Sequence, residues 1–96
     1  MSHLYSTLPS PMIGVITALE WYPTYDPHQF EQPKRVELVY PIQIGCQMVI
    51  QTLDSDSYIT QTSKVLGFRS QCGSNKVYIR TRDSIYCFEE EMVSSP

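Results

Sequence analysis

Basic side chains and a tyrosine are concentrated in one stretch of the sequence, which offers the clearest binding chemistry. No acidic residue lies between Ser57 and Arg82, whereas five of the seven Lys and Arg residues fall there, so the stretch carries a formal charge of +5. Cations attract phosphates and carboxylates, and a tyrosine ring can stack on a base or anchor a protein contact. The stretch therefore predicts a surface for an anionic partner. Its candidate contact residues are Lys64, Arg69, Lys76, Tyr78, Arg80 and Arg82.

Three interpretations of these cations remain open. They can form a solvated face that only pairs with the acidic residues Glu89, Glu90 and Glu91, and exposed ion pairs of that kind contribute about 0–1 kcal/mol each. They can also bind an acidic protein surface, or they can bind nucleic acid. The formal net charge of −3 favours protein over nucleic acid, because nucleic-acid-binding domains are usually basic overall.

A second candidate contact surface is the aromatic segment (residues 21–33). Three prolines interrupt regular structure there, yet four large aromatic side chains occur in the segment, which is atypical of a disordered linker. Either the segment folds back and its aromatics cap the open end of a small barrel, or it displays them as a contact surface. The packing alternative is favoured for Trp21 and Phe30, and the choice stays open for Tyr22 and Tyr25.

Catalytic and metal-binding patterns are missing from the sequence. It has no Gly-x-Ser-x-Gly elbow, Walker loop or His-Glu-x-x-His pair. A loop histidine such as His28 is more typical of a surface than of a catalytic centre. The three cysteines Cys46, Cys72 and Cys87 have no Cys-x-x-Cys spacing and indicate buried or half-buried thiols. We expect no enzymatic activity, no bound metal and no cofactor.

The elements that must position the candidate residues are strands, because tyrosine and β-branched residues are frequent. Residues 76–81 alternate cleanly, with Val77, Ile79 and Thr81 on one face and Lys76, Tyr78 and Arg80 on the other. Further strands are predicted over residues 12–19, 35–40, 42–53 (bent at Gly45), 58–68 and 85–88. Gly73 and Asn75 suit the positive φ that a hairpin connection between residues 70 and 75 needs.

These strands predict an all-β fold, a small barrel or roll of five to six short antiparallel strands with a long proline- and aromatic-rich loop. The arrangement resembles SH3-like or OB-like barrels in architecture only. We expect one β-rich domain over residues 12–91, with a flexible N-terminal tail (residues 1–11) and a frayed C-terminal tail (residues 92–96).

The sequence features lead to expectations about location, partner and function. No apolar run reaches the roughly 18 residues of a membrane helix, and the N-terminus has no signal-peptide pattern, so we expect a cytoplasmic address in the producing or host cell and no membrane partner. The leading hypothesis is a non-enzymatic protein-interaction or inhibitor module, in the style of a viral or phage accessory protein that acts on a host factor. The alternatives are a nucleic-acid or nucleotide binder and a self-assembling homo-oligomeric subunit that pairs open strand edges.

Overall fold

The described part of the chain forms eight strands, all paired in antiparallel fashion. The computed structural model describes residues 7–8, 12–22, 28–54, 57–71 and 73–91, and no helix occurs among them. The strands are β1 (Thr7–Leu8), β2 (Met12–Trp21), β3 (Lys34–Leu38), β4 (Ile42–Gln43), β5 (Gln47–Thr52), β6 (Ile59–Ser70), β7 (Lys76–Thr81) and β8 (Ser84–Glu90).

Six of these strands form a closed barrel in the order β2-β3-β5-β6-β7-β8, and β8 pairs back onto β2. Each strand therefore lies beside its neighbour in the chain, except that the short β4 leaves the barrel to pair with β1. Closure gives each of the six strands a partner on both sides, so none exposes a free edge. The prediction of a small all-β barrel with antiparallel strands is confirmed.

The barrel interior is filled by every second side chain of its strands. In β7, Val77, Ile79 and Thr81 are buried while Tyr78 and Arg80 are exposed, which confirms the alternation predicted for residues 76–81. Burial of such apolar side chains stabilises the fold at about 25 cal/mol per Å² of apolar surface. The fully buried apolar side chains are Ile16, Phe30, Val36, Ile50, Val65, Ile79 and Phe88.

The seam between β2 and β8 depends on a glycine. Gly14 pairs with Glu90 of β8 and with Val36 of β3. A Cβ atom at position 14 would overlap the carbonyl oxygen of Glu89 and lie 2.8 Å from Cζ of Phe88. Only glycine lets the two strands approach this closely.

Residues 28–30 fold back over the end of the barrel at which β2 ends and β8 begins. The Ala18 backbone N–H donates to the Phe30 carbonyl at 2.7 Å, and the Phe30 ring is fully buried. His28 is buried as well, so the expectation of a surface histidine is wrong. Its ring packs 5.6 Å from that of Tyr86 and 5.4 Å from that of Trp21.

Two turn regions differ from the sequence-based expectation. The strand predicted over residues 42–53 is divided into β4 and β5, because the chain turns at Gly45, whose φ is +91°. In the β6–β7 connection Gly73 has the expected positive φ of +74°, but Asn75 does not. The Asn75 side-chain amide instead donates to the Glu90 carbonyl at 2.6 Å and ties the connection to β8.

Strand β1 lies within the region predicted as a tail, but it is paired with β4: Thr7 pairs with Gln43 and Leu8 with Ile42. The rest of residues 1–11, and residues 92–96, are outside the described part of the chain.

Candidate binding surface

The β6–β7 pair brings all six basic-stretch candidates onto one outer surface. Arg69 is the cross-strand partner of Tyr78, and Arg80 is the partner of Gly67. Beyond the last of these pairs, the Arg82 backbone N–H donates to the Lys64 carbonyl at 3.0 Å. Partners across a sheet share a face, so the exposed side chains form a continuous strip, which we call the basic ladder. It consists of Lys64, Arg69, Lys76, Tyr78, Arg80 and Arg82.

Most cations of the basic ladder form no ion pair within the part of the chain that the structure describes. Lys64, Arg69, Lys76 and Arg80 form no ion pair with any residue that the structure describes. Only the guanidinium of Arg82 is engaged, at 3.3 Å from the carboxylate of Asp83. The ladder therefore presents positive charge to the solvent.

The acidic stretch after β8 engages the ladder only in part. Glu89 is the cross-strand partner of Lys76, but Glu91 accepts a hydrogen bond from Arg35 of β3 at 3.0 Å. This hydrogen bond and the Glu91 charge raise the pKa of Arg35. The interpretation that the cations only pair with the acidic stretch thus fits Lys76. It does not account for the exposed cations Arg69 and Arg80, which have no acidic cross-strand partner.

Tyr78 is the aromatic side chain of the ladder, with 37% of its surface exposed between Arg69 and Arg80. Tyr58, Phe68 and Tyr86 would extend it into a stacking platform if their side chains stood on the same outer face. However, Tyr86 is only 4% exposed and Phe68 packs against the core, because both side chains point into the barrel. Tyr58 is exposed but precedes β6, at the opposite end of that strand from Arg69.

The aromatic segment divides between core and surface. Phe30 is buried and Trp21 is half-buried against the core, which is the packing alternative. Phe30 therefore drops out of the candidate contact surface. Tyr22 is 57% exposed and remains in it. Tyr25 lies outside the described residues.

The exposed end of the aromatic segment meets the basic ladder. The closing β2–β8 pair places Trp21 opposite Ser84, and the Tyr22 N–H donates to the Asp83 carbonyl at 2.9 Å. A pocket of about 240 Å³ opens here. It is lined by Glu20, Trp21, Tyr22, Arg80, Thr81, Arg82, Asp83, Ser84 and Ile85. The two surfaces that the sequence suggested separately are therefore parts of one surface.

A second pocket, of about 340 Å³, lies around His28, Ser84 and Tyr86. The Phe30 N–H donates to His28 Nδ1 at 3.0 Å, so the neutral ring carries its proton on Nε2. Nε2 lies 3.4 Å from the Ser84 hydroxyl and 3.3 Å from the Tyr86 hydroxyl. A base that activates a serine needs a free lone pair on the nitrogen that faces it. In the tautomer found here Nε2 carries the proton and has no free lone pair, so the His28–Ser84 pair is not arranged for serine activation.

Sequence reasoning missed the burial of His28, since its neighbours in the chain are Pro27 and Gln29 and give no apolar pattern. It also missed Glu20 and Ile85 as neighbours of Arg80. No local signal marks them, because their proximity arises from the pairing of β2 and β7 with β8.

Other side-chain chemistry is sparse in the described part of the chain. No group of three or more His, Cys, Asp or Glu side chains could hold a metal ion there. Cys87 is half-buried as expected, but Cys46, at the turn before β5, is exposed, and Cys72 is not among the described residues. No helix in the described part of the chain is long and apolar enough to cross a membrane.

Comparison with models of protein families, with curated proteins and with solved structures found no match for this chain.

Proposed function

We propose that this chain is a non-enzymatic binding module that recognises an acidic segment of another protein through the basic ladder. The observation that carries the proposal is a cluster of four cations, three of them exposed and Lys76 half-buried, that have no ion-pair partner among the described residues. Like charges on one surface repel one another, so a fold gains nothing from collecting them without partners. An acidic partner would supply the missing charge.

The geometry favours protein over nucleic acid as the partner. Proteins that bind single strands use several aromatic side chains on which successive bases stack. The basic ladder itself offers Tyr78, and the adjoining surface adds the exposed Tyr22, whereas Tyr86 and Phe68 point inward. Arg and Tyr are also among the residue types that most often anchor protein interfaces.

Single-stranded nucleic acid is the second candidate, because Tyr78 stands between Arg69 and Arg80 as an isolated stacking site. Self-assembly through open strand edges has no support from the barrel, whose six strands are paired on both sides. An inhibitor role towards a host factor is one form that acidic-segment binding could take.

Fluorescence anisotropy with two labelled probes tests the proposal. One probe is a glutamate-rich peptide and the other is a thymidine oligonucleotide of similar charge. We expect the peptide to bind more tightly, and Arg80→Glu to weaken its binding at least tenfold. Arg35→Glu, at an exposed cation of β3 that pairs with Glu91 and is not part of the ladder, is the matched control and should have little effect.

If the oligonucleotide binds more tightly than the peptide, and Arg80→Glu abolishes that binding, the basic ladder is a nucleic-acid site and the acidic-segment proposal is wrong. Equal losses in Arg80→Glu and Arg35→Glu would mean that only net charge matters, and the basic ladder would not be the site.

A further inference from the structure

We infer that the pocket between Tyr22 and Arg80 receives one aromatic side chain of the partner, next to the acidic residues that the basic ladder binds. This inference rests on the proposed function, since it concerns the same partner. It adds a sequence requirement to the acidic segment, namely an aromatic residue at one of its ends.

The position of the pocket follows from strand register. Ile85 of β8 lies between Arg80 of β7 and Glu20 of β2, as the cross-strand partner of both. The three side chains therefore stand in one row across the outer surface of the barrel. Trp21, which packs against the core, and the exposed Tyr22 come next in the chain, and both line the pocket where β2 ends.

The walls of the pocket suit an aromatic ring. Trp21 is half-buried and packs against the core, so its position is fixed by the fold. The side chain of Ile85 is half-buried beside it, and the Tyr22 ring is mostly exposed. These side chains offer apolar surface, and the Arg80 guanidinium at the rim can stack on the face of an inserted ring.

The size of the pocket indicates a single side chain. The pocket is wide open to solvent, and its volume of about 240 Å³ is below the range of about 300–1,000 Å³ that is typical of small-molecule sites. A buried aromatic anchor in a small pocket, surrounded by polar contacts, is the usual form of an interface hot spot.

The charges around the pocket indicate a neutral occupant. Its lining includes the acidic residues Glu20 and Asp83 and the basic residues Arg80 and Arg82, so their formal charges sum to zero. The rest of the basic ladder, by contrast, carries Lys64, Arg69 and Lys76 without ion pairs to described residues. Acidic residues of the partner thus belong on the ladder and the uncharged ring belongs in the pocket.

The length of the ladder sets the spacing. The seven residues from Lys76 to Arg82 span about 20 Å at roughly 3.3 Å per residue, which an extended peptide of six to seven residues matches. The pocket lies at the Arg82 end of this distance. The partner segment is therefore an aromatic residue adjoining about six residues that are rich in Glu or Asp.

Two labelled peptides test this inference by fluorescence anisotropy. One carries phenylalanine adjoining six glutamates, and the other carries alanine at the phenylalanine position. We expect the wild-type chain to bind the phenylalanine peptide about tenfold more tightly, which is the effect of one well-placed aromatic contact.

Three variants locate the effect. Tyr22→Ala should remove the preference for phenylalanine and leave the affinity for the alanine peptide unchanged. Tyr40→Ala, at a tyrosine that is 63% exposed in the β3–β4 connection, should keep the preference. Arg69→Glu should weaken binding of both peptides equally, because Arg69 lies on the ladder away from the pocket.

Failure of the inference is distinguishable from failure of the proposed function. Equal binding of both peptides by the wild-type chain, or a phenylalanine preference that survives Tyr22→Ala, would overturn the aromatic pocket and leave acidic-segment binding in place. Absence of binding to either peptide would overturn both.

Discussion

The Gly14 backbone lies directly against the carbonyl group of Glu89, with no room for a side chain between them. This contact is at the seam where the first barrel strand pairs with the last. Because the Glu89 oxygen belongs to the backbone of a paired strand, it cannot move aside without disturbing the seam.

Gly14→Ala should therefore destabilise the fold by about 1–3 kcal/mol, the usual cost of overpacking. Gly67→Ala is the matched control, since Gly67 also lies in a barrel strand but a Cβ atom there meets nothing within 4 Å. Urea unfolding of the two variants, followed by circular dichroism, measures the difference. Equal midpoints for the two variants would contradict the close approach at Gly14.

Protonation of His28 should make stability depend on pH. Burial lowers the pKa of His28, and the nearby Glu31 carboxylate partly opposes this. The unfolded chain, with an ordinary histidine pKa of about 6.5, then binds the proton more readily than the folded chain does. The stabilising effect is present above pH 6.5 and is lost as the pH falls from that value through the folded-state pKa.

Unfolding free energies measured between pH 7.5 and 5 test this expectation. His28→Asn, which keeps a hydrogen-bond acceptor near the Phe30 N–H but does not titrate, should flatten the profile. His3→Ala should retain the wild-type slope. A steep slope in His28→Asn would assign the pH dependence to other groups.

Neighbouring positions on β7 should separate stability from binding. Ile79 is fully buried, and its replacement by alanine should cost about 2–5 kcal/mol. Tyr78 points outward, so Tyr78→Ala should change the free energy of unfolding by less than about 1 kcal/mol. The same substitution should weaken binding of the glutamate-rich peptide. Thermal melts and anisotropy on the same protein samples give both quantities. A large loss of stability in Tyr78→Ala would contradict the inside–outside assignment.

The thiols of Cys46 and Cys87 should react at different rates. Cys46 is exposed at a turn, whereas Cys87 is half-buried in β8. In a Cys72→Ser background, a bulky maleimide should label Cys46 first, and mass spectrometry after proteolysis identifies the site. Simultaneous labelling would indicate that β8 opens as readily as the turn.

The sequence was most informative where the pattern is local. The alternation of Val77 and Ile79 with Tyr78 and Arg80 has the period of a strand, and it predicted both the inner and the outer face of β7. Clustering of Lys64 and Arg69 with Arg80 was also predictable, because β6 and β7 are joined by a short connection and so pair with each other.

Features that depend on distant pairing were not predictable. Arg80 meets Glu20 only through Ile85, and a bulge between Ala18 and Glu20 adjusts this register. Tyr86 and Tyr78 are both tyrosines, but the pairing of β8 places the Tyr86 side chain inside the barrel, whereas Tyr78 lies on the outer face. His28 is buried by tertiary packing against Trp21 and Tyr86, which composition does not encode.

The pairing of β2 with β8 also has a kinetic consequence. Gly14 and Glu90 are far apart in sequence, so their contact requires the loss of much chain entropy before it gives any stabilisation. During synthesis, hairpins such as β6–β7 can form early, but the ring of strands cannot close until β8 has left the ribosome. Until then β2 has an unpaired side that can capture a strand from another molecule. The seven-residue strand β8 is therefore the element whose pairing completes the barrel, and aggregation through the unpaired side of β2 competes with folding until β8 has paired.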